Sequence, residues 1–169
     1  MKMGEFIQGE RGADRGAVLT GLAGNMVLFV GLPLVLNGLI FGLGWERSSG
    51  PQTGLPPGWV VGAIWLVLFA GMGIARWLLL RAAVTRGDVN VRRVEWVSLL
   101  AFLCLLYPLY TAGFSNLFDG LVGNVLTLVV AVPVAVYGFR RVRAAGAWLV
   151  PLCAWLAYAA WATARLVYR

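Results

Sequence analysis

The sequence predicts an all-α fold: an integral membrane bundle of five transmembrane helices, at about 18–43, 59–80, 94–113, 120–139 and 147–168. Three observations predict it. Of the 169 residues, 60% are hydrophobic and 12% are charged, where a soluble domain carries about 25% charged residues. There is too little polar surface to face water all round. The apolar residues gather into five runs of 20 residues or more, and a 20-residue helix spans about 30 Å, the thickness of a hydrocarbon core. The 14 Lys and Arg residues lie mostly at the ends of these runs, as the basic flanks of membrane spans do. That placement accounts for the formal net charge of +7 without nucleic acid as a partner. The partner implied is the lipid bilayer.

Residues 1–17 are polar, with Lys2, Arg11 and Arg15 balanced by Glu5, Glu10 and Asp14; they read as a short flexible tail ahead of one membrane domain, 18–169. The run that follows is too long for a signal-peptide core and lacks a small-residue cleavage site, so it is read as retained. This first span holds Asn25, Pro33 and Asn37 among glycines. Pro33 removes one helical hydrogen bond and is expected to kink the helix. The two asparagines are costly in lipid and are expected to face the bundle. Gly38 and Gly42 form a small-xxx-small pair that lets another helix approach. Residues 44–58, rich in Gly, Pro and Ser, form a loop.

The second span starts at Pro56-Pro57, since proline is tolerated where a helix begins. From Trp59 to Leu80 it is apolar except for Arg76. Trp59 falls at the membrane–water boundary, where an indole keeps its N–H wet. Trp65, Phe69 and Met72 follow at helical spacing on one face. Residues 81–93 form a loop carrying Arg81, Arg86, Arg92 and Arg93. Because that loop is short, Glu95 at the start of the third span and Arg76 near the end of the second are neighbours. They either pair at the membrane edge or snorkel separately to water. Tyr107-Pro108 places a kink late in the third span. The fourth carries Asn124, Thr127 and Pro133, and a loop with Arg140, Arg141 and Arg143 leads to the fifth. There Trp148 and Trp155, seven apart, share a face, as do Trp155 and Tyr158.

With five spans, the N-terminus and residues 81–93 and 140–146 lie on one side with ten Lys and Arg; the opposite side has three. The positive-inside rule places the N-terminus in the cytoplasm and the C-terminus outside. There is no histidine, and both cysteines, Cys104 and Cys153, sit in apolar runs. That argues against a histidine-ligated haem iron, a zinc site or a Cys–His nucleophile. No catalytic residue, no metal and no required cofactor are expected.

The pattern Pro-Pro-x-Trp-x-x-x-x-x-Trp-x-x-x-aromatic-x-x-Met-Gly over 56–73 resembles the second helix of the translocator protein family, the TspO-type tryptophan-rich sensory proteins. Pro151-Leu-Cys-Ala-Trp155-Leu-Ala-Tyr158 resembles the Pro-Tyr-Leu-x-Trp-x-x-Phe signature of that family's last helix. The resemblance implies a five-helix bundle, often a homodimer, in a bacterial or archaeal cell membrane. It implies a pocket capped by the first loop that binds porphyrins, haem-like tetrapyrroles, sterols or synthetic aromatic ligands. By position, Trp65 and Trp155 match the two tryptophans of that pocket, Phe69 an aromatic one turn below, and Pro57 and Trp59 the junction of lid and helix. Tyr158 completes the last-helix signature.

The third helix departs from the family pattern. Aligned on Pro108, the positions usually held by Gln, Asn and Trp are Leu99, Leu103 and Leu106, and the family's Asn near the end of the last helix becomes Thr163. With Leu103 and Leu106 as ligand contacts, the pocket is less polar than usual. It would hold a ligand mainly by apolar area, at roughly 25 cal/mol per Å², which weakens the case for recognising tetrapyrrole carboxylates. The expected function is a membrane-embedded binding protein (sensor, carrier or scavenger). The alternatives are a small transporter or assembly factor unrelated to tetrapyrroles, and light-dependent porphyrin breakdown.

Overall fold

The computed structural model describes residues 21–44, 56–85, 91–107 and 117–168. They form α1 (Leu22–Gly42), α2 (Gly58–Thr85), a 3-10 turn (Val91–Arg93), α3 (Glu95–Leu105), α4 (Leu117–Arg141) and α5 (Arg143–Val167). No strand occurs among the described residues. The expected tail, 1–17, and most of the expected first loop lie outside them. α1, α2, α4 and α5 are each long and apolar enough to cross a membrane. The chain is therefore an all-α integral membrane bundle.

The boundaries differ most from expectation at three places. α3 has 11 residues, about 16 Å of helix, rather than the 20 expected for 94–113. The break falls at Leu106, a turn residue whose N–H still donates to the Phe102 carbonyl at 3.1 Å, and Tyr107 is helical again. Residues 108–113 of the expected span lie outside the described residues. α2 continues to Thr85, five residues past the expected end. The loop expected around Arg140, Arg141 and Arg143 shrinks to one residue, Val142, which is extended with φ −145° and ψ 106°. Arg140 and Arg141 lie in the last turn of α4, and Arg143 opens α5. The helix start at Pro56-Pro57 is as expected: the Pro57 carbonyl accepts from the N–H groups of Val60 and Val61 at 2.9 and 3.1 Å.

α2, α5, α4 and α3 pack in a closed ring in that order, and α1 flanks α2. The core includes Met72, Ala75, Val97, Leu100, Ala131, Leu149 and Leu156, all fully buried. Apolar surface by itself does not hold helices together in lipid, because acyl chains are as apolar as leucine; close backbone approach does. Glycines supply it. A Cβ on Gly71 would lie 3.0 Å from the Trp148 carbonyl oxygen, and one on Gly73 would lie 3.1 Å from Phe29 Cβ and collide with Met26. One on Gly138 would lie 3.0 Å from the Gly146 nitrogen. The pair the sequence singled out, Gly38 and Gly42, has nothing within 4 Å of either Cβ position. Both are exposed, and no helix among the described residues packs against them.

Polar bonding joins α1, α2 and α3. Arg76 donates from Nη2 to Glu95 Oε1 at 2.8 Å, from Nη1 to Asn25 Oδ1 at 2.9 Å and from Nε to Ser98 Oγ at 2.9 Å. Of the two arrangements open for Arg76 and Glu95, the paired one is found. Asn25 is buried, as its position in lipid required, and also donates to the Gly21 carbonyl at 3.0 Å. Asn37 is half-buried.

Two predictions follow from this packing. Gly138→Leu forces two backbones apart and is expected to lower stability by about 1–3 kcal/mol, whereas Gly38→Ala lowers it not at all; thermal unfolding in detergent, followed by circular dichroism, compares them. Arg76→Gln removes up to three interhelical bonds worth about 0.6 kcal/mol each, roughly 2 kcal/mol in total. Glu95→Gln weakens one bond at a half-exposed carboxylate, so its midpoint falls less than that of Arg76→Gln.

Candidate functional site

α2 and α5 touch where Gly71 meets the Trp148 backbone. Beyond that contact they leave an open groove of about 660 Å³. Ala63, Ile64, Val67 and Leu68 line it from α2, and Pro151, Ala154, Trp155 and Tyr158 from α5. Both sets lie on one side of the contact, toward the start of α2 and the end of α5. Small side chains at Ala63 and Ala154 leave space between the helices. Pro151 lies one turn past Trp148, and a proline ring crowding the carbonyl four residues back bends a helix. Among the lining side chains, the only polar groups are the Trp155 indole N–H and the Tyr158 hydroxyl. A volume of this size is in the range of small-molecule sites.

A ladder of rings leaves the groove along α5. Trp155 and Tyr158 have centroids 5.6 Å apart with planes at 38°, and Tyr158 and Trp161 are 6.2 Å apart at 39°. The Arg165 guanidinium lies over the Trp161 ring, 5.1 Å from its centroid.

A second, smaller cavity of about 30 Å³ lies on the other side of α2, with room for one or two waters. Pro33, Leu36 and Asn37 of α1, Trp65 and Phe69 of α2, and Cys104 and Leu105 of α3 line it. Trp65 is also 5.9 Å from Phe69 and 5.5 Å from Tyr107, centroid to centroid. Behind them, Asn124 Nδ2 donates to the Tyr107 hydroxyl at 3.4 Å, tying α4 to Tyr107 beyond α3. The Asn124 Oδ1 is buried without a partner among the described residues.

The structure therefore divides the expected site residues. Trp155 and Tyr158 line the large groove. Trp65 and Phe69, 8% and 4% exposed, line the small cavity and do not meet Trp155 in a common space. The reason is helical phase: at about 100° per residue, the face of Ile64 and Leu68 turns to α5 and that of Trp65 and Phe69 to α1 and α3. Leu103 and Leu106 are half-buried and line neither space. Pro57 and Trp59 sit at the exposed start of α2, Trp59 with 69% of its surface free. Sequence reasoning missed Ala63, Val67 and Ala154. The signal for them was the pairing of small residues one turn from each large aromatic. It also missed the α1 wall of the small cavity, for which Pro33 and Asn37 in one helical turn were the clue.

A membrane-spanning helical bundle with an apolar groove between two of its helices is the class of protein defined so far. The TspO/MBR family model matches residues 26–169 of this sequence. The chain belongs to the TspO/MBR family. No curated protein matches it.

Proposed function

We propose that this protein binds a flat, ring-bearing apolar ligand, of the tetrapyrrole or sterol-like kind, in the groove between α2 and α5. The single observation that carries this reading is the groove itself: about 660 Å³, apolar, and edged by the Trp155 and Tyr158 rings. Aromatic faces stack on a conjugated ring at low entropy cost, because each side chain has only two rotatable bonds to fix. The protein acts by binding, as a sensor, carrier or scavenger, and no catalytic group is assigned.

The source of the ligand decides what holds it. A molecule taken from water gains from every Å² of apolar surface it buries. A molecule already dissolved in the bilayer gains nothing from that term, since it exchanges acyl chains for side chains. Its affinity has to come from ring contacts, shape and polar anchors. The groove edge is formed by Val67 and Tyr158, 68% and 39% exposed on the chain surface, so the reading includes entry from the lipid side.

The basic helix ends support an orientation. Arg81, Arg92, Arg93, Arg140, Arg141 and Arg143 belong to the ends joined by residues 86–90 and by Val142, and this end is assigned to the cytoplasm. The end of the groove toward the start of α2 and the end of α5 then faces outward. A second copy of the chain is a further partner in this reading.

Titration of the purified chain with protoporphyrin, followed by porphyrin absorbance and emission, tests it. Saturable binding is expected above a detergent-only control. Trp155→Leu and Ala154→Phe are expected to weaken it roughly three- to tenfold by removing a ring contact or filling the groove. Trp65→Phe is expected to leave it within about twofold, because Trp65 lines a different space. Signal changes no larger than those of empty micelles would overturn the reading.

A further inference from the structure

The groove offers its ligand an apolar bed, yet the ladder that starts in it ends on a cation. Resting on the groove reading above, the geometry points to Arg165 as the partner of an anionic group carried by the groove ligand, and so as a determinant of which ligands bind.

Tyr158, Trp161 and Arg165 follow at spacings of three and four and share one face of α5. Arg165 lies seven residues beyond Tyr158, about 10 Å along the helix axis. α2 and α5 are in contact at Gly71 and Trp148 and, as the second and fifth spans, run antiparallel. By that register Trp161 comes level with the first turn of α2, and Arg165 falls about one turn beyond it, at the open end of the groove. A ring system lying along Trp155 and Tyr158 would thus present a short acidic arm to Arg165.

The state of Arg165 supports this role. Arg76, the cation inside the bundle, spends Nε, Nη1 and Nη2 on three acceptors. Arg165 is exposed and makes no ion pair among the described residues. Its contact with Trp161 is through the ring face. That contact uses none of the guanidinium N–H donors, which stay free to engage a carboxylate bidentately. Arg165 also complements the C-terminal helix dipole and can reach the interface. Those roles would be indifferent to whether a ligand carries a charge, and this separates them from the one assigned.

The test compares protoporphyrin with its uncharged dimethyl ester, both titrated into the full chain in dodecylmaltoside. The wild type is expected to prefer the acid. Arg165→Gln is expected to weaken the acid about tenfold and leave the ester within about twofold; Arg165→Lys, which keeps the charge but not the fork, is expected to fall between. Equal losses for acid and ester in Arg165→Gln would mark a merely structural role and overturn the proposal. So would equal wild-type affinity for acid and ester, an outcome that leaves the groove reading standing. Binding of neither form would overturn both. Adding phosphatidylglycerol to the micelles separates a ligand carboxylate from a lipid headgroup: displacement of the acid by that lipid, with the ester retained, would assign Arg165 to headgroups and overturn the proposal.

Discussion

The arrangement of the bundle depends on how closely other backbones can approach α2. Gly71 and Gly73 are two residues apart, so they point about 200° apart around the helix. One admits the Trp148 backbone of α5, and the other admits Met26 and Phe29 of α1. In a bilayer these approaches matter more than in water, since lipid offers helices no apolar reason to associate. A side chain at either position would push out one neighbour while leaving the other in place. α2 is therefore the element held from two sides, and both cavities lie against it.

The Arg76 bonds act on the same helix through polarity. A guanidinium within a span requires acceptors, and three polar residues on α1 and α3 provide them. Two of these, Asn25 and Ser98, would themselves be costly against acyl chains. The group thus satisfies four side chains at once and fixes α1 and α3 relative to α2. This is the end of α2 opposite the groove, so the bundle is tied by hydrogen bonds at one end and parted at the other.

Much of this was legible in the sequence. Helix number, order and approximate bounds follow from apolar run length, and the nearness of Arg76 and Glu95 from a short connection, which left pairing and separate snorkelling both open. What the sequence did not reveal is phase. Trp65 and Trp155 read as partners because a signature aligns them, yet one residue of helical phase turns Ile64 and Leu68 toward α5 and Trp65 toward α3. A spacing rule says which residues share a face, not which neighbour that face meets. The same limit explains Gly38 and Gly42. Their spacing permits a helix contact, while the close contacts among the described residues use other glycines, Gly71, Gly73, Gly138 and Gly146. The one-residue turn at Val142 was hidden for a related reason: Gly138 opposite Gly146 allows the two backbones to come together without a loop, and that match is visible only once α4 and α5 are side by side.

The groove is a consequence of how α2 and α5 part. They are joined at Gly71, where the separation is set by backbone contact, and from there the residues facing each other include alanines that cannot span a widening gap. Large residues flank it: Trp155 and Tyr158 on α5, and Ile64 and Leu68 on α2. Closing such a gap would require a bulky side chain at Ala63 or Ala154. The sequence has neither, so the opening is written into residue size. The groove opens onto the surface of the bundle, so the dispersion contacts its walls lack are left to acyl chains or to a bound molecule. The groove's apolar walls and the tilted Trp155 and Tyr158 rings at its edge are what the proposed binding role rests on.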